Sequence, residues 1–477
     1  MAKLPKTFRD AVSVTRALDV RYIWIDSLCI VQDDLEDWEQ EAAKMASIYE
    51  NSFLTIAAVD SPNSNGGLFL DSITPPVHID FTPRTKPDGA RTSRKSQSTA
   101  YFRQFLRPRS NQDRLHLYNA LLYQRGWVFQ EVMLSPRSLH FREHQMYWKC
   151  RCGLRSEDGT LDETESGETH SLVNFFNRVH GGQDDFSTPL KSSETWWRWV
   201  NYYTSRSLTR PEDRTPAITG IIRHFQRLTR GTPILGLWES SFAADLCWSN
   251  MENVVNTPVT GPSWSWLSHP QQEVYNQPGH KWFERETSIL EPRLESFTVQ
   301  WSGSPFTSRL VSSTLHVSGV MRTFRVRKGS PRWEKGFHVA HPEPNKGSDA
   351  EVLCTLDDGS EIADGLSITC LFLFYSTEHI ETEDYHGDLH GESRRWEYFL
   401  VIAPHRASGF SASKPIVIAD SDDATPPKPY RRLGVGEFEV ELIPKDEWPR
   451  KKVYNNTSWP NPLLMFDGAE RVTIELV

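Results

Sequence analysis

From about residue 285 to the C-terminus the chain runs strand after strand, and this leaves it little choice of fold. SFTVQW, TLHVSGVMRTFRVRK, EVLCTL, SITCLFLFYS, EYFLVIAP, FEVELI and RVTIELV follow one another, separated by Gly, Pro and Asp. Consecutive strands with turn residues between them pair antiparallel. Residues 285–477 are therefore expected to form a β-rich region, either an antiparallel sandwich or a barrel. The stretch before it, 193–284, has another period. SETWWRWVNYYTSRSL and TPAITGIIRHFQRL place apolar residues at helical spacing, and Trp-rich text continues through GLWESSFAADLCWS.

The N-terminal part alternates. Pro5 and Thr7 suit a helix start, and Phe8, Ala11, Val12, Thr15 and Leu18 share one helical face. RYIWIDSLCIV is a continuous apolar run of the kind a strand covered on both faces shows. DDLEDWEQEAAKMASIYEN opens on capping aspartates and presents Leu35, Trp38, Ala42, Met45, Ile48 and Tyr49 on one side, and SFLTIAAV reads as the next strand. This α-β-α-β order predicts an α/β domain over 1–154 with a parallel sheet. LYNALLYQRGWVFQEVML should be helix, with RSLHF and QMYWKC as strands after it. Residues 82–114 carry nine Lys/Arg against two Asp and read as a solvated insertion loop, the other reading being a patch for an anionic partner. Residues 155–192, polar and rich in Gly, Ser and Asp, read as a linker.

A net charge of −9 argues against a dominant nucleic-acid role. The six cysteines are too sparse for a disulfide framework in 477 residues. With no apolar run near the length of a membrane span and no signal-like N-terminus, a reducing cytoplasmic location is expected. Seventeen tryptophans predict a core lined by rings.

Several groups carry polar chemistry. Asp26 interrupts the apolar run YIWI, as a buried carboxylate in need of a partner would, and Gln32 follows close behind. In open parallel sheets, ligands bind beyond the carboxyl ends of strands. Cys29 is either a nucleophile or a small buried thiol. His140, His144, Cys150 and Cys152 match no standard zinc spacing, so no metal is expected. GVGEF at 434–438 lacks the strand-to-helix setting of a phosphate loop, and SWSW at 263–266 reads as strand packing. Two helical carboxylates follow a tryptophan: Glu41 after Trp38, and Glu131 after Trp127. The second spacing, of four, puts ring and carboxylate on one helix face, with Arg125 and Gln130 beside them.

LPKTFRDAVSVTRALDVRYIWIDSLCIVQDDLEDWEQEAAKMASIYENSFLTIAA with GGLF, and then YQRGWVFQEVMLSPRSLHF with QMYWKC, resemble the fungal heterokaryon-incompatibility (HET) domain. YYTSRSLTRPEDRTPAITGI, GLWESSFAADLCW, GPSWSWLS and YRRLGVGEFEV resemble the regions that follow it in such proteins. The resemblance implies a role in allorecognition and programmed cell death, and a TIR-like α/β fold. Many TIR enzymes cleave NAD with a glutamate in a Trp-x-x-x-Glu helix. By that likeness Glu131 is the first candidate for the catalytic carboxylate and Glu41 the second. Trp127 would wall the site, and Asp26, Gln32 and Gln130 would contact the substrate. Arg125 would meet pyrophosphate or lock Glu131, unless it is used in a salt bridge to Asp26. NAD would be a substrate and no cofactor is implied. A non-enzymatic module that assembles with itself or with partner proteins is the alternative. The family's usual opening strand, resembling Tyr-x-x-Leu-Ser-Tyr-x-Trp-Gly, is not present ahead of MAKLPKTF, which implies an unpaired sheet edge.

Overall fold

The structure is a computed structural model. It describes residues 3–70, 77–81, 98–102, 120–143, 145–150, 153–157, 159, 162–163, 186–250, 261–269, 272–276, 286–288, 291–327, 336–339, 350–357, 362, 364–383, 389–405, 429–443, 465–466 and 468–477. They fall into two units: Met1–Val31 with Ser47–Gln183, and Gln32–Ala46 with Asp184–Val477.

In the first unit, helix α1 (Lys6–Ala17) begins after Pro5 and buries Ala11 and Thr15. Residues 20–25 form neither helix nor strand, and Asp26–Cys29 is a single helical turn, α2. The strand expected over RYIWIDSLCIV is thus not formed. Its aromatic and β-branched residues favour a strand, but a strand also needs a neighbour, and none among the described residues pairs with it. Helix α3 (Leu35–Glu50) runs where its apolar period predicts and buries Ala42, Met45 and Ala46. It crosses the division between the units.

Strand β1 (Thr55–Ala58) is followed by a hairpin of β2 (Val77–Phe81) and β3 (Ser98–Phe102), so the expected 82–114 loop contains a strand at its described positions. The helix expected from Leu117 is interrupted. Leu121–Gln124 is a 3₁₀ turn and Arg125 is extended, so helix α4 begins only at Gly126 and ends at Leu134. Strands β4 (Arg137–Phe141), β5 (Met146–Cys150), β6 (Gly153–Ser156) and β7 (Asp162–Glu163) complete a sheet of order β1-β4-β5-β6-β7. Only β1 and β4 are parallel; the remaining pairs are antiparallel. The expected parallel sheet is therefore a mixed one, because the chain leaves β4 by short turns rather than by helical crossovers.

Ala11, Leu68 and Phe141 form a core cluster here, with Val14, Ile56, Ala58, Leu139 and Met146 packed against it. The GGLF turn docks on α1 by its backbone: the Gly67 N–H donates to Thr7 Oγ1 (3.0 Å) and the Leu68 N–H to Asp10 Oδ2 (2.9 Å). Gly67 sits at φ +89°, and a Cβ there would lie 2.6 Å from that carboxylate oxygen. Arg142 bridges from the end of β4 to both oxygens of Asp60 (2.9 and 3.1 Å).

His140, considered above as a metal ligand, is fully buried instead between the Tyr123 hydroxyl at Nδ1 and Ser138 Oγ at Nε2 (2.7 Å). His144 and Cys152 lie outside the described residues, and no group of metal-binding side chains occurs among those described. Burial, with Lys149 and Arg142 nearby, lowers the His140 pKa to about 3.

The second unit contains α5 (Pro189–Thr204), capped by the Thr188 hydroxyl, and α6 (Arg214–Thr229). Beyond them lie the short pair β8 (Pro233–Ile234) and β9 (Leu237–Trp238), the helical turn α7 (Phe242–Asp245), and the pair β10 (Trp248–Asn250) and β11 (Val274–Asn276). Trp196, Trp199, Trp248, Trp264 and Trp266 are all fully buried. The carbonyl of Gly236 accepts from two indoles, Trp196 Nε1 (2.8 Å) and Trp266 Nε1 (2.9 Å). SWSW is a turn leading into 3₁₀ structure, not a strand, with Ser265 Oγ donating to the Leu235 carbonyl (2.6 Å). Asp245, fully buried, accepts from Ser193 Oγ (2.5 Å), Trp197 Nε1 (2.9 Å), the Trp238 N–H (2.8 Å) and Ser241 Oγ (2.8 Å).

Among its described residues the β-rich region has nine strands: β12 (Glu286–Ser288), β13 (Arg293–Trp301), β14 (Leu310–Arg327), β15 (Gly336–Val339), β16 (Ala350–Leu356), β17 (Ser367–Glu383), β18 (Leu389–Pro404), β19 (Tyr430–Ile443) and β20 (Glu470–Leu476). The pairing runs β17-β18-β19-β16-β15-β14 and returns from β14 to β17, which closes a barrel. Phe324, Phe372, Phe399, Phe438 and Phe466 share its core. GVGEF lies inside β19, opposite Val352–Leu356. Arg432 of β19 donates to both oxygens of Asp357 (2.9 and 3.0 Å), to the Leu246 carbonyl (2.8 Å) and to the Trp248 carbonyl. Its guanidinium also lies 3.5 Å from the centre of the Trp248 ring, so it pins the Trp-rich segment to the barrel within this unit. No helix among the described residues is long and apolar enough to cross a membrane.

Two consequences are measurable. Asp245→Ala leaves four donors without their acceptor, and the urea unfolding transition read by Trp fluorescence at pH 7 should lose about 3–5 kcal/mol. His140 has its folded pKa, about 3, below the unfolded 6.5. Between those values the unfolded chain binds a proton that the folded chain does not, so stability falls as pH falls from 6.5. Wild-type stability should therefore drop between pH 6.5 and 4 more steeply than that of His140→Gln, by up to about 1.4 kcal/mol per pH unit in denaturant titrations.

Candidate functional site

The end of α4 is fixed from three directions. Ser135 Oγ donates to the Glu131 carbonyl (2.5 Å) and hydrogen-bonds Thr55 Oγ1 of β1 (2.6 Å). Lys149 of β5 reaches the Val132 carbonyl (3.2 Å) through a fully buried ammonium whose pKa burial lowers to about 7. A cation and a hydroxyl thus occupy carbonyls that the helix itself leaves open at its C-terminal end. Val128, Phe129, Val132, Met133 and Leu134 are buried, which holds the helix in the core of the unit. Glu131 is half-buried on a helix that has little freedom to turn.

The Glu131 carboxylate is hydrogen-bonded by the Tyr49 hydroxyl, from the last turn of α3. Burial is the largest cause that raises the Tyr49 pKa well above its ordinary value, and the charges of Glu131 and Asp26 add to it while Arg125 opposes it. Tyr49 therefore stays protonated at neutral pH and acts as a donor toward the carboxylate. Trp24 sets its ring edge-on to Tyr49, with centroids 5.9 Å apart. Glu131, Asp26, Arg125 and Tyr49 form one electrostatic group, and all four belong to the first unit.

The candidates named from the sequence divide as follows. Glu131, Asp26 and Arg125 are brought together around Tyr49. Trp127 is half-buried on the same helix as Glu131, and Gln130 is buried. Gln32 and Glu41 belong to the second unit, where Glu41 pairs with Lys44 (2.7 Å). Asp26 is exposed rather than buried, because the run it was expected to interrupt is not an inner strand; its side chain accepts from the N–H of Ser27 (2.7 Å). No ion pair joins Arg125 to Asp26 among the described residues. Arg125 is exposed, immediately ahead of the first turn of α4. Cys29 is exposed, so it is not a small buried thiol. Tyr49 was read from the sequence only as part of the apolar face of α3. Its place at the end of that stripe, next to Glu50 and Asn51, was the one sign that its hydroxyl leaves the core.

Chemically the group offers a carboxylate held by a neutral hydroxyl, a second carboxylate, and an arginine at a helix N-terminus. Such a set can stabilise a developing positive charge at one end of a ligand and neutralise an anion at the other.

No curated protein and no solved structure matches the chain. Residues 1–131 match the family model described as Heterokaryon incompatibility protein (HET), a span that includes α1 and ends at Glu131 itself.

Proposed function

We propose that this protein acts in heterokaryon incompatibility as an effector of cell death, and that its HET domain hydrolyses NAD at the nicotinamide–ribose bond. The observation that carries this reading is the Tyr49–Glu131 hydrogen bond with Asp26 and Arg125 grouped around it.

In the reaction the bond between ribose C1′ and the cationic nicotinamide nitrogen breaks, and nicotinamide leaves neutral with the bonding electron pair. Positive charge develops on the ribose C1′ and ring oxygen. Glu131 stabilises that charge and hydrogen-bonds the ribose hydroxyls, its direction set by Tyr49. Water adds to C1′ and releases a proton, giving ADP-ribose. Arg125, exposed immediately ahead of the first turn of α4, suits the pyrophosphate. Trp24 and Trp127 supply apolar surface that limits water near the reacting carbon. The resemblance of the sequence to a TIR-like domain, with its Trp-x-x-x-Glu helix, is what suggests this chemistry.

Nicotinamide release by the purified full chain tests the reading. Glu131→Gln should lower the rate at least about a hundredfold, by removing a charge present for the transition state. Tyr49→Phe should lower it about tenfold, the worth of one hydrogen bond to a charged group. Glu41→Ala should leave it unchanged. Wild-type protein that releases no nicotinamide would overturn the proposal, and a loss confined to Glu41→Ala would move the site to α3.

A further inference from the structure

The stretch Arg21–Ile25 is the part of the first unit whose sequence and surroundings disagree most. Tyr, Ile, Trp and Ile are all strand formers, and Ile25 has extended backbone angles (φ −133°, ψ 120°). Yet the backbone N–H and C=O groups of Arg21–Trp24 make no hydrogen bond to any described residue. Tyr22 is 86% and Ile23 37% exposed, whereas Trp24 turns inward onto Tyr49. Leu18, Leu28 and Val31, close by in the chain, are also largely exposed. A run of main-chain groups without partners among the described residues, flanked by apolar side chains, is a template for another strand.

The charges indicate which strand. The run reads Arg-Tyr-Ile-Trp-Ile-Asp, with a cation at one end and a carboxylate at the other. Both end residues are exposed, and neither makes an ion pair among the described residues. Laid antiparallel on a second copy of itself, the run brings each Arg21 end beside the other copy's Asp26 end. Apolar residues then meet in the middle. A parallel arrangement would set like charge against like.

We infer that Arg21–Ile25, flanked by Asp26 at the start of α2, is a self-pairing strand, by which two copies of this chain join antiparallel through their HET domains. The contact satisfies the open backbone groups, covers Tyr22 and Ile23, and is two-fold symmetric, so it closes at a dimer. It does not depend on the Glu131 chemistry, and its test reads mass and backbone protection rather than nicotinamide.

Sedimentation of the full chain over about 1–100 μM, a range suited to a contact of this small size, should show a monomer passing to a dimer. Arg21→Asp and Asp26→Arg should each weaken dimerisation at least about tenfold, and the double exchange R21D/D26R should restore it. Ile23→Lys should weaken it as well, with circular dichroism confirming that each variant is folded. Amide hydrogen exchange at Arg21–Ile25 should slow as concentration rises through the transition. A monomer at every concentration overturns the inference, even if the chain then binds an extended strand from some other polypeptide. A dimer that the single charge reversals leave intact, or that leaves the Arg21–Ile25 amides unprotected, overturns it too.

Discussion

A backbone N–H or C=O removed from water needs a partner, and the way each strand of this protein finds one decides how its parts are built. In the β-rich region the need is met by closure. β14 is long enough to pair with β13, β15, β17 and β20 at different positions along its length, and its contact with β17 seals the ring. A closed sheet leaves few open edges, which suits a region made almost wholly of strands. The HET domain solves the same problem less completely. Its sheet begins at a four-residue strand, β1, and continues by hairpins, while a run with every local tendency to be a strand stands apart from it.

Polar groups inside the protein follow a parallel rule. Asp245 and Arg432 are both fully buried and both charged in their ordinary forms, yet each is surrounded by partners, several of them from distant parts of the chain. Four donors converge on Asp245, and burial still raises its pKa to about 6 against their opposing effect. Arg432 combines a two-pronged bond to Asp357 with two carbonyls and a ring. Removing one partner from such a set costs more than adding it contributes, which makes these positions rigid points of the second unit. His140 shows the other solution: it is kept neutral and shared between a phenol and a hydroxyl.

Periodicity made part of this legible. Helix α3, the strands at Thr55, Arg137 and Met146, and the β-rich character of the last third all lie where apolar spacing puts them. What could not be read was partnership. The run YIWI has the composition of a strand, but composition says nothing about whether a neighbour lies alongside. Hairpins after β4 turned an expected parallel sheet into a mixed one, and a four-residue β1 carries no mark of which edge it occupies. The site divides the same way. Spacing put Trp127 and Glu131 on one helix face, and the family resemblance singled out Glu131. Tyr49, 82 residues earlier, is joined to it only by the fold.

Asp26 connects the two halves of this picture. It closes the run Arg21–Asp26, and its charge also acts on Tyr49, whose hydroxyl holds Glu131. Trp24, from the middle of the same run, lies against the Tyr49 ring. Pairing of this run with a second copy would therefore reach the carboxylate through two residues it contains. It would fix the Trp24 backbone, and it would set an arginine beside Asp26, weakening the negative potential at Tyr49. Both changes favour a hydroxyl held steadily toward Glu131 with less competing charge around it. In such an arrangement assembly and chemistry would not be rival accounts of the domain, because a strand that joined two copies would also order the residues around the carboxylate.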